Sequence, residues 1–194
     1  NAYPGMTQGI LPGFLIGQQK NGAGVDLKDR TGAPLAFTSA VKLIETGSNL
    51  EVTGIRVIKY PIDYTSGDNS NNDYVYFRLA DVLLMKAEAI LRGGTGTAAG
   101  PYGSTALAIV NSIRTHASRG ASALGTVTLD NLLDERGREL YWEGWRRNDL
   151  VRFGKFLNAW QEKPADAGSF TLIFPIPARE LAANPNLSQN AGYQ

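Results

Sequence analysis

The chain has 194 residues, a hydrophobic fraction of 43% and a formal net charge of +1. This length and apolar content are sufficient for a hydrophobic core, and they exclude a wholly disordered chain. The balanced charge argues against a basic surface for nucleic acid, so we expect no nucleic-acid partner. The absence of cysteine excludes disulfides and Cys-ligated metals, and the single histidine excludes multi-histidine metal sites. We therefore expect no catalytic residues, no metal and no cofactor.

The composition of the chain changes near residue 73. Residues 1–72 are rich in Gly, Asn and Pro, which predicts a loop-rich region. Two runs within it have the residue types of strands, Leu35–Leu43 and Leu50–Tyr60, and a turn-prone segment separates them. They predict a short β-hairpin. Residues 73–194 are predicted to be mostly helical, and we expect both regions to belong to one domain.

Apolar residues at a spacing of three and four predict the first two helices. One runs from Tyr74 or Arg78 to Arg92 and ends at a pair of glycines, and the second covers about Ser104–Ala117. Two helices of similar length joined by a Gly-rich turn predict an antiparallel hairpin of the kind found in tetratricopeptide-type repeats.

Two further helices are predicted downstream, and an extended C-terminal segment follows them. The third helix begins after Thr128 and ends at Gly144, and the fourth covers about residues 146–159. Residues 170–177 are predicted to be extended because two prolines close this run, and the polar tail 184–193 is predicted to be an extended surface segment. The fold class is therefore mainly α.

The densest charge cluster spans Asp130 to Arg152 and contains six acidic residues and five arginines. Within it Glu135, Glu139 and Glu143 recur every four residues and so form one stripe on a helix. Two nearby carboxylates are the catalytic groups of a retaining glycosidase, which makes this stripe a candidate active site.

A general acid, however, needs a carboxyl group whose pKa is raised, and neighbouring guanidinium groups lower the pKa instead. We therefore interpret the cluster as a lattice of salt bridges that fixes how the third and fourth helices meet. Catalysis by these glutamates remains an alternative.

Exposed aromatic rings are platforms on which sugars stack. Most aromatic residues of this chain lie at helical spacing beside leucines and are predicted to be core. Tyr3, Phe14 and Tyr64 lie in polar loops instead, so they are the candidate ligand-binding residues.

Four segments in consecutive order resemble motifs of the SusD/RagB family of nutrient-binding lipoproteins. The run Arg78–Ala89 (RLADVLLMKAEA) is similar to a helix of that family. Leu132–Lys155 (LLDERGRELYWEGWRRNDLVRFGK) resembles the family pattern Asp-Glu-Arg, Glu-Leu, Glu-Gly, Arg and Asp-Leu-x-Arg. Pro175–Pro177 and Asn184–Tyr193 are similar to the closing motifs of the family, and Lys59-Tyr60 also fits.

This resemblance implies a non-enzymatic protein that binds a glycan or oligosaccharide and acts as a lid on a SusC-like TonB-dependent transporter. It implies a mostly helical fold with tetratricopeptide-like helix pairs, and glycan contacts from loops and aromatic residues upstream of the Arg78 helix. The motif residues would then be structural framework. These residues are Arg78, Glu135, Arg136, Glu139, Glu143, Arg147, Asp149 and Arg152.

The resemblance also implies a location on the extracellular face of the outer membrane. No apolar run in the chain approaches the roughly 18 residues that span a bilayer, so a membrane would be reached through an N-terminal lipid anchor. The lipid-bearing cysteine is absent and the family is longer, so the chain is expected to be a C-terminal portion. Two alternatives stay open: a glycoside hydrolase or accessory protein that uses the glutamate stripe, and a helical-repeat scaffold that binds only protein.

Overall fold

The computed structural model describes residues 13–47, 50–60, 63, 66, 69–95, 100–117, 119–166 and 168–193. The chain divides into two compact units, unit 1 (Asn1–Tyr74) and unit 2 (Val75–Gln194), close to the predicted change at residue 73. Among the described residues, no helix combines the length and the apolar character needed to cross a membrane.

The described residues of unit 1 form four short strands arranged in two antiparallel pairs. The strands are β1 (Gly13–Leu15), β2 (Gly17–Gln18), β3 (Ala36–Phe37) and β4 (Arg56–Ile58). β1 pairs with β4, with Phe14 opposite Val57, and β2 pairs with β3, with Gly17 opposite Phe37. Leu15, Leu35 and Phe37 are buried together and form a small core, because alternate residues of these strands point to the same side.

The small β region is present, but the predicted strand pairing is wrong. β3 and β4 lie in the two predicted runs, yet each pairs with a strand upstream and not with the other. One backbone hydrogen bond joins the runs, from the Thr38 amide to the Val52 carbonyl at 3.0 Å. Gly17 has a φ of 67°, which lets residues 13–18 turn between the two sheets. Val41 and Leu43 are exposed, so no core holds that part of the run extended.

Unit 2 is helical, in agreement with the predicted mainly α class. Its elements are α1 (Leu79–Leu91), α2 (Ala106–Arg114), α3 (Leu129–Glu139), α4 (Arg146–Arg152), a 3₁₀ helix (Ser169–Leu172) and α5 (Ala178–Ala183). α1 and α2 pack most extensively, with α3 against α1 and α4 against α3. The buried core lies among α1, α2 and α3, where Leu84, Ile109, Val110 and Leu132 are fully buried.

The helix ends differ from the predicted ones where the backbone leaves the helical region. α2 is capped by Thr105 and not by Ser104, since the Thr105 hydroxyl accepts from the Ala108 amide. α3 ends at Glu139 and not at Gly144, and Trp142 then has a φ of 63°. α4 is followed at once by a turn in which Gly154 has a φ of 66°, so it stops at Arg152, short of residue 159.

The C-terminal segment of unit 2 is less extended than predicted. A 3₁₀ turn occupies the start of the predicted extended run, and the unpredicted α5 follows Pro177. Side chains of the tail form hydrogen bonds with backbone N–H and carbonyl groups of residues 173–176. The Gln189 amide group bonds both the N–H and the carbonyl of Ile176, at 2.8 and 2.9 Å, and the Tyr193 hydroxyl donates to the Ile173 carbonyl at 2.8 Å.

Candidate functional site: the charged helix interface

Three charged side chains are buried where α1, α3 and α4 meet. Asp81 of α1, Arg136 of α3 and Asp149 of α4 are each at most 1% exposed. Arg136 Nε donates to Asp149 Oδ2 at 2.8 Å, and Arg136 Nη1 lies 2.9 Å from Asp81 Oδ1. Because a single guanidinium contacts both carboxylates, it joins the other two helices to α3.

Asp81 and Arg136 are held together by charge attraction without a well-aligned hydrogen bond. Among the described residues, neither Asp81 oxygen accepts a hydrogen bond, and Arg136 Nη1 donates none. Nη1 and Oδ1 are nonetheless 2.9 Å apart, so the two groups form an ion pair. Two fully buried charges depend on each other here, because isolated charges are costly to bury.

A second group of ion pairs surrounds Glu88, one turn before the end of α1. Arg92 Nε donates to Glu88 Oε1 at 2.9 Å, and Arg152 donates to both oxygens, at 2.6 and 3.0 Å. Arg152 also donates to Asp149 at 2.8 Å, which connects this group to the buried one. Burial acts to raise the pKa of Glu88, but the hydrogen bonds from Arg152 and Arg92 outweigh it and lower that pKa.

The glutamate stripe of α3 and the following turn is also occupied by arginines. Arg78, at the start of α1, bonds both Glu139 and Glu143, and its Nε lies 3.0 and 2.8 Å from the two Glu143 oxygens. Arg119 bonds both oxygens of Glu139, at 2.7 and 3.0 Å. Burial acts to raise the pKa of Glu139, but the hydrogen bonds from Arg119 and Arg78 outweigh it, so the pKa lies below its ordinary value.

The third member of the stripe, Glu135, has two arginine partners. Arg114 of α2 donates to Glu135 Oε2 at 2.6 Å, and Arg138 donates to the same oxygen at 2.8 Å. Each glutamate of the stripe therefore bonds at least one arginine. Such an arrangement cross-links helices, which is the role expected of structural framework residues.

Arg147 differs from the other candidate framework residues. Within the part of the chain that the structure describes, it makes no ion pair. Its Nη2 donates to the Thr171 carbonyl at 2.8 Å, and its guanidinium carbon lies 3.9 Å from the centroid of the Phe174 ring and 4.9 Å from that of Phe156. Arg147 therefore attaches the C-terminal segment to α4 through the bond to the Thr171 carbonyl and the cation–π contact with Phe174.

The three candidate ligand-binding residues lie in unit 1. Phe14 is in β1 and is 57% exposed. Tyr3 and Tyr64 lie outside the described residues. The aromatic platform therefore stays a prediction. Among the described residues, no group of three His, Asp or Glu side chains could hold a metal ion.

Several members of the network were not predicted from the sequence. They are Asp81, Glu88, Arg92, Arg114 and Arg119. The helical pattern of α1 carried a signal for the two acids. Asp81, Leu84 and Glu88 lie three and four residues apart and are all buried, whereas the apolar Leu79 and Val82 are half exposed. An acid on each side of a buried leucine predicts buried cation partners. Arg114 and Arg119 lie at and beyond the end of α2, so periodicity could not have identified them.

Comparison with known proteins places the chain in a family. The sequence profile of the SusD family matches residues 35–193. The starch-binding protein SusD of Bacteroides thetaiotaomicron is 39% identical over 132 residues, which cover 64% of this chain and 22% of that protein. The SusD-like protein P38 of Formosa agariphila is 32% identical over 153 residues, which cover 72% of this chain and 28% of that protein.

The solved structure of surface glycan-binding protein A from Bacteroides uniformis matches with a TM-score of 0.49 and 34% sequence identity, over 62% of this chain and 28% of that one. The chain thus spans only about a quarter of the length of these relatives. The profile match covers most of the sequence and includes the helices that carry the charged network. The chain belongs to the SusD family.

Proposed function

We propose that the protein binds a glycan or oligosaccharide and does not cleave it. The observation that carries this proposal is membership of the SusD family, whose profile covers residues 35–193. A relative with 39% identity bears the name starch-binding protein. The charged network is consistent with binding without catalysis, because its carboxylates are engaged by arginines.

The candidate catalytic groups are the three glutamates of the stripe, and their surroundings favour a structural role. Hydrolysis by a retaining mechanism needs one carboxylic acid that is protonated near neutral pH. Glu139 has a lowered pKa, and Glu143 receives two hydrogen bonds from Arg78. We infer that these residues hold the helices in place and that the ligand binds elsewhere on the surface.

We further propose that the glycan is passed to a SusC-like TonB-dependent transporter, and that the protein acts on the extracellular face of the outer membrane through a lipid anchor. Both statements extend the family resemblance to the whole protein. The relatives are several times longer than this chain. In unit 1, Phe14 together with Tyr3 and Tyr64 is the proposed aromatic contact to the sugar.

Titration calorimetry with maltoheptaose, cellohexaose, xylohexaose and mannohexaose tests binding, and chromatography of the same mixtures tests cleavage. We expect saturable binding of at least one oligosaccharide and no shortening of any of them. Phe14→Ala should weaken that binding, whereas Phe77→Ala, which removes another exposed ring, in unit 2, should not. Release of shorter sugars that Glu135→Gln abolishes would contradict the proposal and favour a hydrolase.

A further inference from the structure

Unit 2 contains a cavity of about 400 Å³ where the end of α1, the start of α3 and the end of α4 come together. Its lining consists of Arg92, Thr128, Leu129, Asp130, Arg152 and Phe153. The volume lies within the range of small-molecule pockets, about 300–1,000 Å³. None of these residues belongs to the aromatic platform proposed in unit 1.

The two arginines of this cavity are fixed in position by a buried carboxylate. Glu88 accepts from Arg92 at 2.9 Å and from Arg152 at 2.6 and 3.0 Å, and only 7% of the Glu88 side chain is exposed. Arg92 uses Nε for this bond, and its terminal nitrogens donate to no acceptor among the described residues. They are therefore oriented donors available to a ligand in the cavity.

The cavity also presents an acceptor and an apolar wall. Asp130 is mostly exposed, with Lys155 Nζ 3.1 Å from its Oδ1, which leaves the carboxylate accessible from the solvent side. Leu129 and the half-buried Phe153 supply apolar surface, and the guanidinium carbon of Arg92 lies 4.9 Å from the centroid of the Phe153 ring. Donors, an acceptor and an apolar wall thus converge on one space.

This combination fits a neutral sugar better than a charged ligand. Three cations (Arg92, Arg152 and Lys155) are opposed by three carboxylates (Glu88, Asp130 and Asp149), so little net charge remains to attract an anion. Adjacent hydroxyl groups of a sugar ring both accept and donate, which matches a guanidinium and a carboxylate, while the C–H groups of the ring match the apolar wall. We propose that this cavity binds a neutral sugar unit of the glycan, with Arg92 as the main donor and Asp130 as the acceptor.

The inference rests on the proposed glycan-binding function and names a second contact site for it. Arg92→Gln is the main test variant, because Glu88 keeps Arg152 as its partner when Arg92 is removed. Arg138→Gln is the matched control: Arg138 is also a half-exposed arginine bonded to a buried glutamate, and Glu135 likewise keeps a second partner, Arg114. Asp130→Asn tests the acceptor.

Binding of maltoheptaose, cellohexaose, xylohexaose and mannohexaose is measured by calorimetry for the four proteins, with thermal unfolding as a check of folding. We expect Arg92→Gln to lose about tenfold or more in affinity for the oligosaccharide that the unsubstituted chain binds, as for a lost charged hydrogen bond. Asp130→Asn should also weaken binding, and Arg138→Gln should leave it unchanged.

If Arg92→Gln and Asp130→Asn bind the oligosaccharide as tightly as the unsubstituted chain does, the cavity is not a sugar site. The proposed function would remain intact in that case. Equal weakening by Arg92→Gln and Arg138→Gln would also overturn the sugar site, because the effect would then be a general one of arginine loss. Absence of binding by the unsubstituted chain to all four oligosaccharides would overturn both the site and the proposed function.

Discussion

Replacing Arg136 by Met removes a cation that contacts both buried carboxylates at the meeting point of α1, α3 and α4. Asp149 keeps Arg152 as a partner, at 2.8 Å. Asp81 is fully buried, and Arg136 is its ion-pair partner within the described chain. The substitution therefore leaves Asp81 as an uncompensated charge in the interior.

The expected loss of stability follows from that burial. Removal of one partner from a buried ion pair destabilises proteins by about 3–5 kcal/mol, because the remaining charge stays desolvated. This is a large share of the roughly 5–15 kcal/mol that stabilises an ordinary domain. For a chain of this size the midpoint of thermal unfolding should fall by roughly 10 °C. Lys155→Met, which breaks a pair whose members are 41% and 72% exposed, should change stability by about 1 kcal/mol or less.

Urea unfolding followed by far-UV circular dichroism measures both variants and the double variant Asp81→Leu with Arg136→Met. Asp81→Leu removes the unpaired buried charge and supplies apolar volume. We therefore expect the double variant to be more stable than Arg136→Met alone. A loss below about 1 kcal/mol for Arg136→Met, or a double variant less stable than the single one, would refute the reasoning that Asp81 depends on Arg136.

Three further predictions concern single contacts. Glu139 has a lowered pKa in the folded chain, so its stabilising contribution is present above about pH 4.5 and is lost as the pH falls below that value. Urea unfolding at a series of pH values across this range should show a smaller loss of stability in Glu139→Gln than in the unsubstituted chain, and equal losses in the two would contradict this. A Cβ at Gly137 would lie 2.9 Å from Arg146 Nη1, so Gly137→Ala should stabilise the chain by up to about 1 kcal/mol more in an Arg146→Ala background than alone; equal effects in the two thermal unfolding series would contradict this. Arg147→Met should accelerate proteolysis of the C-terminal segment, because it removes the bond to the Thr171 carbonyl and the contact with Phe174, and mass spectrometry of the fragments would reveal an unaffected segment if this is wrong.

The helices of unit 2 could be predicted from the sequence because their signals are local. The apolar spacing located α1, α2 and α3, and Leu132, Leu133 and Leu140 are buried as that spacing required. The dense opposite charges of two consecutive helices predicted salt bridges between them, and the contact between Arg136 and Asp149 is one of these. These features depend on residues that are close together in the sequence, where periodicity is informative.

The features that could not be predicted depend on distant partners. β3 and β4 pair with strands that precede them by many residues, and β1 and β2 are too short to give an alternating pattern. Arg119 reaches Glu139 from a turn after α2, and no local rule connects the two. Such contacts are set by tertiary packing, which overrides the local preferences of short segments.

The residues of the family motifs are engaged with one another, and this limits what they can reveal about the ligand. Arg78 holds Glu139 and Glu143, Arg136 holds Asp149, and Arg152 holds Glu88, so these charged side chains are paired with one another within the protein. A side chain that is buried in an ion pair has no capacity left to discriminate between sugars. These motifs therefore identify the fold, while specificity has to come from residues outside them. Arg92 and Asp130 in the cavity of unit 2 and Phe14 in unit 1 are residues of that kind, which is why the binding experiments concentrate on them.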